Sequence, residues 1–156
     1  MRNGLAAGPL PAGLLYGPVI QAACEIAPTF SPEVAYAIAE NETIIGEKNG
    51  KWDAATVVSA DGGHGLFQLT SSYPSDWADP AKNAEYAVEH FLLPAETFWA
   101  NMGMQGDDLV RCIAAEFNAG RGGALSGHNQ GDVDKYTTNH YAARALANYQ
   151  ALCSTP

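Results

Sequence analysis

The apolar positions of residues 32–45 repeat with the spacing of one helix face. Ala35, Ile38, Ala39, Glu42 and Ile45 follow one another at intervals of three and four residues, which is the pattern of a helix that buries one side. This face carries one carboxylate, Glu42, into the apolar side of the predicted helix.

The flanking residues define the ends of this helix. Ser31 is suited to the N-cap, and a proline in the first turn is compatible with a helix start. We expect the helix to span residues 32–45 and to end at Gly46. Glu33 and Glu40, seven residues apart, share the opposite face and are predicted to be solvated.

Other periodic segments predict further helices, bounded by prolines, glycines and capping residues. Asp79 caps a helix that Pro94 breaks, with a further turn or helix after it. Asp107 caps a helix that Gly120 stops. We expect these helices at residues 17–27, 80–93, 107–118 and 138–152, and a short β ribbon at residues 55–59 within a loop of residues 47–64. The chain is therefore predicted to be mainly α-helical, with at most a short β ribbon near the candidate site.

Length and composition favour one globular domain. The 156 residues are 47% hydrophobic and 16% charged, which is enough to form a core and argues against disorder. Residues 1–16 are predicted to be an irregular, loosely packed arm or the edge of a larger protein, and residues 17–156 the domain. Glycines and prolines interrupt the apolar segment of residues 5–20, so we expect neither a membrane span nor a signal peptide there.

The net charge of −9 and the pI of about 4.6 argue against nucleic acid as a partner. Three cysteines, Cys24, Cys112 and Cys153, have no metal-site spacing. They are interpreted as core thiols, with a Cys24–Cys153 bridge as the alternative. We expect no metal and no cofactor.

A carboxyl on an apolar helix face has its anionic form disfavoured. Burial is expected to raise the pKa of Glu42 towards neutrality, which is what a general acid needs. The alternative is an inert glutamate, hydrogen-bonded at the end of a helix.

The glycine-rich segment of residues 61–70 is the second candidate feature. Gly62, Gly63 and Gly65 allow positive φ values and close approach of the backbone to a ligand. The apolar residues that follow can anchor the segment while Gln68 points elsewhere. His64 lies among these glycines and is predicted to line the same groove.

Three short motifs occur in order along the chain: Ile-Ala-Glu-Asn-Glu-Thr at residues 38–43, Gly-Leu-Phe-Gln at residues 65–68 and Phe-Asn-Ala-Gly at residues 117–120. Together they resemble the motifs of the superfamily of goose-type lysozymes and soluble lytic transglycosylases, which are Ile-Ala-x-x-Glu-Ser, Gly-Leu-Met-Gln and Ala-Tyr-Asn-Ala-Gly. This chain has Thr43 in place of serine, Phe67 in place of methionine and Phe117 in place of tyrosine. The resemblance covers roughly residues 32–150.

This resemblance implies a lysozyme-like fold and a muramidase that cleaves the β-1,4 bond between N-acetylmuramic acid and N-acetylglucosamine in peptidoglycan. Glu42 is then the general acid. Asp61 resembles the aspartate that holds the attacking water in goose-type lysozymes, and it favours inverting hydrolysis. Asp61 can also simply hydrogen-bond its own turn. Without a second carboxylate, a lytic transglycosylase forms 1,6-anhydromuramic ends instead.

The remaining candidate residues are assigned to substrate binding. Gln68 and Asn118 offer neutral amides to sugar hydroxyl and N-acetyl groups, although Asn118 can instead cap its own helix. Tyr141 resembles a family tyrosine whose hydroxyl lies close to the catalytic acid, and Tyr136 is the alternative. The backbone at Gly65 and the ring of His64 complete the predicted glycan groove.

The expected place of action is the bacterial cell wall, outside the cytoplasm. Because walls are themselves anionic, an acidic enzyme encounters them slowly unless something delivers it. The charge therefore suggests a lysis enzyme of phage origin, such as an endolysin, or part of a larger delivery protein or virion. A wall-binding or structural virion domain without catalytic activity is the competing interpretation.

Overall fold

The computed structural model describes residues 2–26, 30–46 and 53–155, and over these ranges the chain is mainly α-helical, as predicted. The helices are α1 (Gly17–Ile26), α2 (Pro32–Thr43), α3 (Pro80–Ala87), α4 (Leu93–Asn101), α5 (Gly106–Asn129) and α6 (Tyr141–Cys153). The predicted β ribbon is reduced to isolated bridges, in which His64 pairs with Val58 and with Leu69. Part of the predicted loop, residues 47–52, and the end of the first predicted helix lie outside the described residues.

Helix α2 is the central element of the core. It packs against α1 and α6, and α6 packs in turn against α5. The apolar residues of the predicted face are buried, and Val34 and Ala37 on the other sides are fully buried as well. The hydroxyl of Ser31 accepts a hydrogen bond from the Val34 N–H at 3.4 Å, as expected for the N-cap. The helix ends at Thr43, because Ile44 adopts a left-handed conformation with φ 52°.

The prediction that Pro94 breaks its helix was wrong. Asp79 caps α3 as predicted, but the chain remains helical from Pro80 to Asn101 through a π-helical turn at Val88–Leu92. A proline inside a regular α-helix lacks a hydrogen-bond donor and clashes with the carbonyl four residues earlier. The wider π turn immediately before Pro94 relieves both problems.

The boundaries of two other helices differ from their predictions. Helix α5 begins at Gly106, after the N-cap Gln105, so Asp107 lies in its first turn and is not its cap. Gly120 interrupts this helix with φ 74° and ψ 164°, but helical structure resumes and continues to Asn129. Helix α6 begins at Tyr141, because His140 before it has a left-handed backbone with φ 55°.

The N-terminal segment is irregular, as predicted, but it is packed against the helices and is not a loose arm. Leu5 lies in the core with 1% of its surface exposed. The Ala6 N–H donates to the Tyr149 hydroxyl at 2.8 Å, and the Gly8 N–H donates to Glu33 Oε1 at 2.7 Å. Glu33 is therefore buried and hydrogen-bonded, which corrects the prediction that it is solvated.

The cysteines are free. Cys24 and Cys112 are buried thiols, as interpreted, whereas Cys153 is exposed and forms no bridge with Cys24. None of the described helices combines the length and the apolar character that crossing a membrane requires.

Candidate active site

Glu42 lies in the last turn of α2 and lines an open cleft with a volume of about 360 Å³. Its side chain is half-buried, and Oε1 accepts a hydrogen bond of 2.6 Å from the hydroxyl of Tyr141 on α6. Of the two candidate tyrosines, Tyr141 is thus the one beside the carboxyl. Tyr136 is exposed, and its hydroxyl accepts a hydrogen bond from Gln130 instead.

The surroundings of Glu42 favour its protonated form. Burial raises the pKa of Glu42 to about 7, against the opposing effects of the Tyr141 hydrogen bond and the Arg144 charge. The negative charge of Asp61 adds to the increase. Burial also raises the pKa of Tyr141, so its phenol stays protonated and donates a hydrogen bond to Oε1. We therefore expect the proton of protonated Glu42 to lie on Oε2.

The glycine-rich segment is held beside Glu42 by contacts between the motifs. The Thr43 hydroxyl contacts the carbonyl oxygen of Leu66 at 3.4 Å. The ring of Phe67 packs edge to face on Phe117, with centroids 6.4 Å apart. The three sequence motifs therefore meet at one place in the fold.

Asn83 of α3, which the sequence analysis did not single out, anchors the same segment. Its Oδ1 accepts from the Phe67 N–H at 2.9 Å, and its Nδ2 donates to the carbonyls of His64 and Trp77 at 3.0 and 3.1 Å. Asn83 is fully buried. It sits on another helix, so local sequence contains no sign of its role.

Asp61 lies on the same cleft as Glu42, as predicted. The carboxylate is fully exposed, and hydrogen bonds from the Ser59 hydroxyl and from the Gly63 backbone lower its pKa. The Ser59 hydroxyl also accepts from the Gly63 N–H at 3.0 Å. Asp61 thus does bond to its own turn, and it also presents a negative charge to the cleft. The surroundings of Glu42 favour its protonated form, whereas those of Asp61 favour its ionised form. Two carboxyls that differ in this way are suited to separate acid and base roles.

The two predicted amides also line the cleft. Gln68 has a left-handed backbone with φ 49°, and its Nε2 donates to the Gly65 carbonyl at 3.0 Å. Asn118 does not cap its own helix, because its Oδ1 accepts from the Thr138 N–H at 2.8 Å. Gln68 Oε1 and Asn118 Nδ2 have no bond to the protein among the described residues, so both can bind a ligand.

His64, Gly65 and Tyr141 are not among the residues that line the cleft, and their assignment to ligand binding stays a prediction. The His64 ring stacks on Tyr73, with centroids 4.0 Å apart, and contacts the edge of Trp77. Gly65 has φ 68°, and a Cβ atom there would approach Asn83 Nδ2 to 2.6 Å and the Trp77 carbonyl to 3.0 Å. Glycine is required at this position by packing against the protein itself.

Asp134 is a further site residue that sequence reasoning missed. Its Oδ1 accepts from the Ala142 N–H at 2.7 Å, and its Oδ2 accepts from the Ala143 N–H at 2.8 Å. Thr137 bonds to the same carboxylate, and its hydroxyl accepts from the Tyr141 N–H at 3.3 Å. Asp134 therefore caps α6 at the turn that carries Tyr141 to Glu42.

We expect Asp134→Ala to lower the free energy of unfolding by about 2–3 kcal/mol, because it leaves helix N–H groups without acceptors. Burial raises the pKa of Asp134, but the hydrogen bonds from Thr137, Ala142 and Ala143 outweigh it and lower the pKa overall. The stabilisation is therefore complete above the ordinary aspartate pKa near 4 and is lost as the pH falls through the lowered value.

Urea unfolding at pH 7 and at pH 3 measures this effect. The difference between the parent and Asp134→Ala should shrink at the lower pH. Asp76→Ala is the matched control, because it removes an exposed carboxylate and should change the stability by less than about 0.5 kcal/mol. Equal losses in the two variants would show that Asp134 is not a helix cap of this strength.

Comparison with models of known protein families gave no match to this chain, and a search of curated proteins gave no relative.

Proposed function

We propose that this chain is a muramidase that cleaves the β-1,4 bond between N-acetylmuramic acid and N-acetylglucosamine by inverting hydrolysis. The observation that carries the proposal is the pair of unlike carboxyls in one cleft. Glu42 is half-buried with a pKa of about 7, and Asp61 is exposed with a lowered pKa. A glycosidase needs a proton donor on the leaving oxygen and a second group that stabilises or generates the nucleophile.

Glu42 supplies the proton in this mechanism. Tyr141 holds Oε1 at 2.6 Å, so the protonated Oε2 is directed to the glycosidic oxygen. Transfer of this proton lets the carbon–oxygen bond break without release of an alkoxide. The anion of Glu42 that remains is stabilised by the hydrogen bond from Tyr141 and by the positive charge of Arg144.

Asp61 activates water. Its carboxylate is ionised at neutral pH and exposed in the cleft, so it can accept a proton from water as the oxygen attacks the anomeric carbon. The negative charge of Asp61 also stabilises the positive charge that develops on the sugar ring in the transition state. The proton balance closes when Asp61 releases the proton of the water and Glu42 is reprotonated from solvent.

The lining of the cleft supports a carbohydrate as substrate. Side-chain amides and hydroxyl groups line the cleft together with the aromatic rings of Phe91 and Phe117, and sugars present hydroxyl edges and apolar faces to such surfaces. The polar lining residues are Ser59, Gln68, Thr70, Ser71 and Asn118. The specific choice of peptidoglycan rests on the resemblance of the three motifs to goose-type lysozymes and lytic transglycosylases, which also supports a lysozyme-like fold.

The proposed place of action is the bacterial wall, and the acidic charge favours a delivered enzyme. With a net charge of −9, the chain is repelled by the anionic wall at long range. Attachment to a larger protein or a phage particle would overcome this repulsion. The proposal is thus an enzyme of lysis or penetration.

A lytic transglycosylase is the second candidate, favoured by one observation. The Asp61 carboxylate is engaged by Ser59 and Gly63 of its own turn, which competes with the binding of a catalytic water. In that reaction the 6-hydroxyl of the muramic acid attacks in place of water.

Digestion of purified sacculi followed by mass spectrometry of the products tests both candidates. Soluble muropeptides with reducing muramic ends are expected, and 1,6-anhydromuramic ends, 18 mass units lighter through the loss of one water, would establish transglycosylation instead. Intact sacculi after prolonged incubation would contradict both candidates and favour a wall-binding or structural domain.

A further inference from the structure

A second chamber, with a volume of about 380 Å³, lies beside the candidate cleft. The two spaces share a wall formed by Thr70, Ser71, Phe91, Phe117 and Asn118. A glycan bound at Glu42 therefore lies next to the second chamber, and a group attached to that glycan can reach into it.

Arg121 forms part of the chamber wall and is held in one orientation. Its Nη2 and Nε donate to Glu116 Oε1 at 2.9 and 3.1 Å, and Nη2 also contacts the Pro94 carbonyl at 3.4 Å. The guanidinium carbon lies 4.4 Å from the centre of the Phe98 ring. These contacts use Nε and Nη2, whereas Nη1 makes no hydrogen bond within the described parts of the chain.

Glu116 is itself fixed and largely covered. Its Oε2 accepts from the Trp99 indole N–H at 2.9 Å, and 12% of its side chain is exposed, compared with 46% for Arg121. The exposed member of this ion pair is thus the cation. Glu116 lowers the net charge at the chamber but orients the guanidinium, which limits the entropy lost when Nη1 binds a ligand.

An arginine in this position matches the charged part of peptidoglycan. The sugar rings and N-acetyl groups of the glycan are neutral, and the carboxylates lie on the peptide stems attached to the lactyl groups of muramic acid. An arginine donates strong charge-assisted hydrogen bonds to carboxylates. His90, stacked on Tyr86 with centroids 3.9 Å apart, provides a further polar ring on the chamber wall.

We propose that the second chamber binds a carboxylate of the peptide stem through Nη1 of Arg121 while the glycan occupies the cleft at Glu42. This inference rests on the proposed function, because it requires a peptidoglycan strand in the cleft. It makes the enzyme selective for strands that carry stems with free carboxylates over bare or amidated strands.

Calorimetric titration of the Glu42→Gln variant tests this selectivity, because that change prevents turnover of the ligands. Three ligands are compared: a muramic tetrasaccharide with free stem carboxylates, the same tetrasaccharide with these carboxylates amidated, and chitotetraose, which has no stem. We expect about tenfold tighter binding of the free-acid form than of the amidated form, as one charge-assisted hydrogen bond provides.

Adding Arg121→Gln should remove this preference and leave the affinity for chitotetraose unchanged. Adding Lys82→Gln is the matched control: it also removes one exposed positive charge, from a residue paired with Glu85, and should keep the preference. The comparison of the two stem ligands in the Glu42→Gln parent is decisive even if the Arg121 variant does not fold.

Equal binding of the free and amidated stems by the parent would overturn the inference while leaving glycan binding intact. A preference that survives Arg121→Gln would overturn the assignment to Arg121. Failure to bind any of the three ligands would contradict the proposed function as well, so the two failures are distinguishable.

Discussion

Glu42→Gln should reduce the rate of sacculus cleavage by about 10²- to 10⁴-fold, the range that a general acid contributes. Glutamine fills the same space and can still accept the hydrogen bond from Tyr141, but it has no acidic proton for the leaving oxygen. Release of soluble muropeptides under single-turnover conditions measures the rate. The fold should be retained, because the substitution removes no bond that stabilises the core.

Glu40→Gln is the control for this change. It makes the same chemical substitution on the same helix, two residues away, on a side chain that lies outside the candidate cleft. We expect cleavage at close to the parent rate. Comparable losses of cleavage rate in the two variants would indicate a general effect of charge on the encounter with the wall. Full activity of Glu42→Gln would exclude Glu42 as the general acid.

Asp61→Asn should reduce the rate of hydrolysis by about 10²-fold or more, because the amide cannot accept a proton from water. A second effect of Asp61→Asn, on the pH dependence of the rate, tests the electrostatic interaction between the Asp61 and Glu42 carboxyls. The charge of Asp61 raises the pKa of Glu42, so its removal should lower that pKa. Since activity requires protonated Glu42, the basic limb of the pH–rate profile should move to lower pH.

Tyr141→Phe should move the same limb in the opposite direction. The Tyr141 hydrogen bond lowers the pKa of Glu42, so loss of the hydroxyl should raise it. Asp76→Asn, which neutralises an aspartate outside the cleft, serves as the charge control and should shift neither limb. Shifts of the same sign in the Asp61 and Tyr141 variants would contradict the proposed electrostatics of the site.

The central helix could be predicted closely because its sequence signals are local. Spacings of three and four residues placed Glu42 beside the core, and Ser31 determined the start of α2. The prediction failed for Glu33, because periodicity assumes that one side of a helix meets solvent. Here the N-terminal segment covers that side, and Gly8 hydrogen-bonds to Glu33, a contact between residues distant in sequence.

The sequence predicted contacts between site residues where a motif resembles one whose residues are neighbours in the fold. It did not predict the orientation of side chains that is decided by packing. The position of Tyr141 beside Glu42 followed from the resemblance, and the structure places the two groups in contact. The orientation of His64 could not be predicted, because it depends on the packing of its ring against Tyr73 and Trp77. The catalytic and binding roles of these residues stay predictions.

Asp134 illustrates a signal that sequence rules do not contain. An N-cap residue normally lies directly before the first helical turn, whereas Asp134 reaches the N–H groups of Ala142 and Ala143 across an intervening loop. Two left-handed residues, Asn139 and His140, let that loop close. Only the folded geometry reveals this cap.

The most direct test of the account is a ¹³C-detected NMR titration of the Glu42 carboxyl in the free protein, with Glu42→Gln used to assign the resonance. We expect a midpoint at about pH 7, because burial disfavours the anion more strongly than Tyr141 and Arg144 stabilise it. A midpoint near 4.3, the value of an unperturbed glutamate, would show that this carboxyl holds no proton at neutral pH and would contradict its role as the acid.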